Sequence, residues 1–210
     1  MKTRTVNGPQ QIVTRRRPST ERRRREILDA ALDCFLKNGV EGTTIEQIRL
    51  VSKASLGSIY HLFRSKDELA LTLFVEGMQL YQRKIIRALE RETTALGCIR
   101  TIIATHLQDV LDDPPLSIYL TRLGMADGLG KVDEQFRSLN DEFAEAVWMH
   151  LEPFVDRGEL VRLPTELYFA LIVGPAAHLA RSWLRGHTDC DLISAADHLA
   201  EAAGNSLRPR

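Results

Sequence analysis

The sequence predicts an all-α protein of about nine helices. Three observations carry that expectation. Apolar residues recur three and four positions apart along most of the 210 residues. No stretch alternates apolar and polar with the period of two that a half-buried strand needs. Helix punctuation, namely S/T-x-x-E boxes, Asn-Gly and Asp-Pro, separates the periodic stretches. A chain of this length can bury roughly 70% of its unfolded surface, so it needs no disulfide or metal staple.

In chain order, residues 1–19 mix Gly8, Pro9 and Pro18 with Arg15-Arg16-Arg17 and read as a disordered basic arm. A helix starts at Ser19 or Thr20, with Ile27, Ala30, Ala31, Leu32 and Phe35 on one side. Asn38-Gly39 ends it, with Gly39 suited to a left-handed position. Thr43 with Glu46 fits a capping box that opens a short helix bearing Ile45, Ile48 and Val51. Ser52-Lys53-Ala54-Ser55 reads as a tight turn, and a second short helix follows to Phe63, with Ile59 and Phe63 facing inward. Two short helices across a four-residue turn make a helix-turn-helix.

Ser65 with Glu68 is a second capping box, opening a long helix to about Glu90. Another helix runs from Thr94 to about Leu111, and Asp112-Asp113-Pro114-Pro115 breaks it. A shorter one spans Leu116 to about Ala126, before Gly128 and Gly130. Lys131 to Arg157 is helical by pattern through Val132, Phe136, Leu139, Phe143, Val147 and Leu151, with Pro153 near its end. The last two helices run from Thr165 to about Arg185, bent at Gly174-Pro175, and from Asp191 to Ser206.

The formal net charge is zero, from 28 Lys and Arg against 28 Asp and Glu. That zero hides a polarity: residues 1–66 carry 14 bases and 6 acids, and residues 67–210 carry 14 and 22. A basic end joined to an acidic remainder points to a polyanion partner. No apolar run is long enough for a membrane span, and there is no signal-peptide core, so a cytoplasmic protein is expected. Cys34, Cys98 and Cys190 are too few and too scattered for a disulfide framework or a metal site, and read as structural thiols. The chain contains no GxGxxG, P-loop, HExxH, GxSxG or CxxC, so neither enzyme activity nor a cofactor is expected. His187-Thr188-Asp189-Cys190-Asp191 reads as a capping loop rather than a metal site. An all-α partner-binding module with a basic tail is the competing reading.

Residues 20–69 are more specific. Glu26 to Phe35, then Asn38-Gly39, Thr43-Thr44, Ile48, Ser55, Gly57, Tyr60, Phe63, Lys66 and Leu69 resemble the tetracycline-repressor (TetR) family of bacterial transcription regulators. The resemblance implies a basic arm (1–19), a three-helix DNA-binding domain (20–66) and a helical effector-binding and dimerisation domain (67–210). It implies a homodimer on a double-stranded DNA operator, a repressor released when an unidentified small molecule binds. Arg49, Ser52, Lys53 and Ala54 depart from the family pattern, which usually has Gly at the Lys53 position. Either Lys53 accepts a left-handed backbone or the turn differs.

A recognition helix meets base edges through its first residues, which makes Ser55, Leu56, Gly57 and Ser58 groove candidates; Leu56 could instead be core. The resemblance puts Thr44, Tyr60, His61 and Lys66 on phosphates. Lys53 and the run Arg22, Arg23, Arg24 and Arg25 add positive charge for the backbone. Polar and aromatic residues within apolar stretches are the candidate effector lining: His106, Tyr119, Arg122, Phe143, Trp148, Tyr168 and His178. The small-residue faces of the last two helices resemble the family's dimerising pair, which assigns Ala176, Leu179, Ala180, Trp183, Ala196, Leu199 and Ala203 to that interface; an internal core face is the alternative.

Overall fold

The computed structural model describes residues 18–124 and 131–209, with side chains for 19–124 and 137–209. Among these residues there are nine helices and no strand. They are α1 (Pro18–Gly42), α2 (Ile45–Ser52), α3 (Leu56–Leu62), α4 (Lys66–Leu89), α5 (Ala95–Asp112), α6 (Pro114–Gly124), α7 (Lys131–Asp156), α8 (Thr165–Leu184) and α9 (Leu192–Leu207). The expected basic arm lies outside the described residues except for Pro18 and Ser19, which open α1. Gly128 and Gly130, and the side chains of Val132 and Phe136, lie outside them too.

Local chemistry sets the boundaries. Gly39 has φ 72° and a non-helical backbone that kinks α1 there, where the sequence placed the helix end, and one further helical turn to Gly42 follows the kink. The capping box of α2 sits one residue later than the sequence suggested. Thr44 is the N-cap, its hydroxyl accepting from the Gln47 N–H while the Gln47 side chain accepts from the Thr44 N–H. Thr43 is buried instead, and its hydroxyl donates to the carbonyls of Cys34 and Gly39. Ser65 caps α4 as expected, but Glu68 reaches back to the Arg64 N–H rather than to Ser65. The break after α5 is a single residue, Asp113, whose carboxylate caps the Leu116 N–H. Pro114 and Pro115 open α6, where a missing N–H does no harm. Asp191 caps α9, in keeping with a capping role for its loop.

Two hydrophobic cores divide the molecule. The first joins α1, α2 and α3 through Ile27, Phe35, Ile48, Ile59 and Phe63, and takes in Leu69, Leu73, Phe74 and Met78 of α4 and Tyr119 of α6. The second is built on α5, with Ile99, Ile102, Ile103 and Leu107 sealed by α7, α8 and α9. Helix α4 enters both, since Ile85 and Leu89 belong to the second core. The first half of α4 therefore packs with α1, α2 and α3.

The small-residue faces of α8 and α9 are spent inside the chain. Ala176, Ala180, Ala196 and Ala203 are all at most 5% exposed and lie in the second core, so they do not form a dimer face. Small side chains permit close helix approach, and the partner that uses them here is α5. At Gly204 a Cβ would come within 2.9 Å of Leu96 Cδ1, which marks how close α9 and α5 run.

Candidate nucleic-acid interface and internal cavity

The turn between α2 and α3 is held by short side chains. The Ser52 hydroxyl accepts from the Ala54 N–H, and Ala54 is buried. Lys53 accepts the left-handed backbone at φ 53°, the only described non-glycine residue with positive φ. That conformation costs on the order of 1 kcal/mol, and the ε-ammonium remains exposed beside the turn. Ser55 is the N-cap of α3, its hydroxyl accepting from the Ser58 N–H.

Ile59 and Phe63 bury the inner side of α3 as expected. The opposite side is open: Leu56 is 44% and Tyr60 53% exposed, and Gly57 and His61 are exposed beside them. Leu56 is thus surface rather than core. Nothing lies within 4 Å of where a Gly57 Cβ would be, so the glycine leaves open space for an approaching partner rather than relieving an internal clash. Leu50 and Val51 on α2 are also exposed, and with Leu56 and Tyr60 they give these two helices an apolar exposed component.

The basic residues divide by their partners. Arg22 and Arg23 both pair with Glu26, and Arg25 pairs with Asp29, all on the solvent side of α1. Such pairs contribute little to stability and can be exchanged. Arg24 departs from the expectation. Its side chain is only 13% exposed, forms a forked pair with Glu76 of α4, and lies over the Phe63 ring. The hydrogen bond to Glu76 holds its pKa above the usual arginine value. Four successive residues point around a helix, and Arg24 is the one that points inward. Lys66 donates to the Glu41 carbonyl at 3.0 Å, tying α4 to the end of α1.

A cavity of about 220 Å³ lies between α4, α5, α6 and α8. Met78, Val110 and Leu120 give it apolar wall. Its polar groups are Tyr81, His106, Asp109, Ser117, Thr121 and Arg181. The Tyr81 hydroxyl and His106 Nδ1 are 3.0 Å apart, and His106 Nε2 is buried with no partner among the described residues. Burial lowers the His106 pKa to about 4 and raises that of Tyr81, so both are neutral near pH 7. Asp109 is paired with Lys84.

Of the residues expected to line an effector pocket, only His106 does. Tyr119 is sealed in the first core, stacks on Phe35 and donates to the Ala70 carbonyl at 2.8 Å. Arg122 is exposed and donates to the Leu36 carbonyl of α1. Phe143 packs on Tyr81 and Phe169. Trp148 and Tyr168 meet edge to face around a crevice of only about 10 Å³. His178 is exposed on α8. Tyr81, Thr121 and Arg181 were missed, because helical period locates a buried face without revealing where that face fails to close.

Comparison with known proteins agrees with this architecture. The family model "Bacterial regulatory proteins, tetR family" matches residues 27–73, from within α1 into α4. The fatty acid metabolism regulator protein of Bacillus subtilis (strain 168) is 20% identical over 84% of this chain and 91% of its own length. The HTH-type transcriptional regulator TtgR of Pseudomonas putida is 25% identical over 94% of this chain and 97% of its own. The crystal structure of the transcriptional regulator FadR from Bacillus subtilis in complex with stearoyl-CoA has the same fold, with a TM-score of 0.77 at 19% identity, covering 88% of this chain and 99% of that one. The helix-turn-helix, the helical domain behind it and these likenesses agree: residues 27–73 carry the DNA-binding domain of the tetR family of bacterial regulatory proteins, and the chain is a DNA-binding transcriptional regulator.

Proposed function

We propose that this regulator is a cytoplasmic homodimeric repressor that leaves its operator when a small molecule fills the cavity, and that it has no catalytic activity of its own. The observation that carries this reading is the placement of α6. One side of that helix presents Ser117, Leu120 and Thr121 to the cavity. The other carries Tyr119 and Arg122, bonded to α4 and α1 of the first core. A ligand that moves α6 must shift those bonds or the helices they hold. Helix α4, which enters both cores, would carry the shift to α3. The ligand then favours a population whose recognition helices no longer match the half-site spacing of roughly 34–36 Å.

On the operator, Ser55, Leu56, Gly57 and Ser58 would meet base edges. Thr44, Lys53, Tyr60, His61 and Lys66 would meet phosphates, with Arg22, Arg23 and Arg25 exchanging their acidic partners for the backbone. The recognition helix holds no Arg, Asn or Gln for bidentate base reading, so DNA shape would supply part of the specificity.

For the second copy, the open side of α8 replaces the alanines. Leu167, Ala170, Gly174 and His178 are exposed along it, and Ile193 is 50% exposed on α9. Leu179, Trp183 and Leu199 are half-buried beside the core and would border the interface. The stearoyl-CoA of the Bacillus subtilis structure does not transfer as it stands. Scaled from a cavity of ~150 Å³ that holds benzene, this one takes about nine non-hydrogen atoms, far fewer than a stearoyl chain.

A mobility-shift titration with DNA from upstream of the chain's own gene, run across salt concentrations, tests the reading. A competitor-resistant shift that weakens steeply with salt is expected. No shift at low salt would overturn it.

A further inference from the structure

We propose that the effector is a compact monocarboxylate with an apolar body, its carboxylate held by Arg181, His106 and Thr121; this rests on the repressor reading above. The argument starts from the charges around the cavity. Two cations stand near it, and they are not equivalent. Lys84 is engaged by Asp109, and Asp112 lies 4.0 Å from it. Arg181 lines the cavity and makes no ion pair or side-chain hydrogen bond among the described residues. Asp109 also lines the cavity, but its charge is already answered by Lys84. Among the described residues, the uncompensated charge facing the space is therefore positive. A half-buried guanidinium without a partner is a site for an oxyanion, because its planar fork matches a carboxylate.

The tautomer of His106 adds a second donor. The Tyr81 hydroxyl has one proton, and its only hydrogen-bond partner among the described residues is His106 Nδ1. A phenol that donates to Nδ1 fixes the imidazole proton on Nε2. With the phenol donating, that N–H is the buried polar atom left without a partner among the described residues, and it belongs to a residue that lines the cavity. An unsatisfied buried donor is costly to keep, and because Nε2 has almost no surface open to the cavity, an acceptor recovers that penalty only as the ring turns toward it. Thr121 supplies a hydroxyl from α6, the helix that also holds α1 and α4. A carboxylate bound to Arg181 of α8, His106 of α5 and Thr121 of α6 would draw three helices toward one point. Met78 and Leu120 are left for the ligand's apolar body. An organic cation would meet Arg181 with like charge, and a fully apolar ligand would leave the imidazole N–H unpaired.

The test uses the full chain and three probes of one shape: benzoate, benzamide and benzylamine. Binding is read by calorimetry on the wild type, Arg181→Gln, Arg181→Lys and Thr121→Val, with circular dichroism melts checking that each variant folds. Benzoate is expected to bind the wild type at least about tenfold more tightly than benzamide, because a charged hydrogen bond replaces a neutral one. Benzylamine should not bind. Arg181→Gln should erase the preference for acid over amide while leaving amide binding, and Arg181→Lys should restore part of it. Should Arg181→Gln fail to fold, Thr121→Val decides the same question through a several-fold loss of benzoate affinity. Equal affinity for acid and amide, or no saturable benzoate binding at millimolar concentration, would overturn the proposal. Operator binding by the free protein is measured alongside. A protein that shifts its operator but prefers the amide refutes the ligand class alone, whereas one that binds benzoate but no DNA refutes the repressor reading.

Discussion

Replacing Arg24 with Met separates a structural arginine from a DNA-binding one. The guanidinium forms a forked pair with Glu76, a carboxylate on another helix, and lies 5.6 Å from the centre of the Phe63 ring. A hydrogen bond to a charged group contributes about 1.5–3 kcal/mol, and a cation over an aromatic ring about 0.5–1. The Glu76 side chain is 40% exposed, so water screens part of the pair and the lower end applies. Arg24→Met should thus lower the unfolding free energy by about 2 kcal/mol in urea titrations. A cycle with Glu76→Gln should recover a coupling of about 1 kcal/mol or more, as for two residues in direct contact. The slope of log affinity against log salt on operator DNA should stay as in the wild type. Arg22→Ala and Arg25→Ala should do the opposite, leaving stability within about 0.5 kcal/mol and reducing the slope by about 0.9 for each phosphate no longer neutralised. An Arg24→Met protein of unchanged stability with a reduced salt slope would refute the assignment.

Three further outcomes follow from the same geometry. Ile59→Ala should destabilise the chain by about 2–5 kcal/mol in urea titrations and abolish the mobility shift, whereas Leu56→Ala should leave stability within about 0.5 kcal/mol and weaken only the shift. His106 gives a pH window: unfolded it takes a proton near 6.5, but folded only near 4, so stability is full above 6.5 and falls as pH drops through that range. The loss is at most about 3 kcal/mol, and thermal melts of His106→Gln at pH 7.5 and 5 should show a smaller difference than the wild type. Leu167→Asp places a charge on the open side of α8, and sedimentation should find it shifted toward monomer with a weaker mobility shift.

The helices were legible because periodicity, caps and breakers are local. Ser65 and Asp191 cap the helices expected of them, and Ile59 and Phe63 face inward as their spacing requires. What was not legible depends on three-dimensional neighbours. Thr43 and Thr44 present the same hydroxyl to the reader, and only the path of α1 past Gly39 decides which one caps α2. Arg24 is one base among four until Glu76 arrives from α4, 52 residues later. Ala176 and Ala196 advertise a close helix contact without saying whose, and the chain's own α5 takes it. Tyr119 and Arg122 are polar and aromatic, as ligand residues often are, yet they join α6 to the first core.

That last displacement bears on how the two domains communicate. A residue that touches the ligand sets affinity, whereas a residue that ties the cavity-lining helix α6 to the first core can change coupling. Tyr119 is such a residue: its ring stacks on Phe35 of α1 and its hydroxyl reaches the Ala70 carbonyl of α4. Opposite it, Gly77 lets α4 and α6 approach, since a Cβ there would lie 3.1 Å from Leu120 Cδ2 and 3.2 Å from Leu116 Cδ1. Leu120 also lines the cavity, so the close contact of α4 with α6 is one residue deep from the ligand space. Tyr119→Phe keeps the ring and removes the bond to α4, which should lower stability by about 1 kcal/mol. Ligand binding itself should be unchanged in calorimetry, because the hydroxyl does not face the cavity. If the bond transmits the signal, the ligand concentration needed to release operator DNA should rise relative to the ligand's own dissociation constant. A Tyr119→Phe protein that releases DNA in step with ligand occupancy, as the wild type does, would leave α4 alone as the route between the domains.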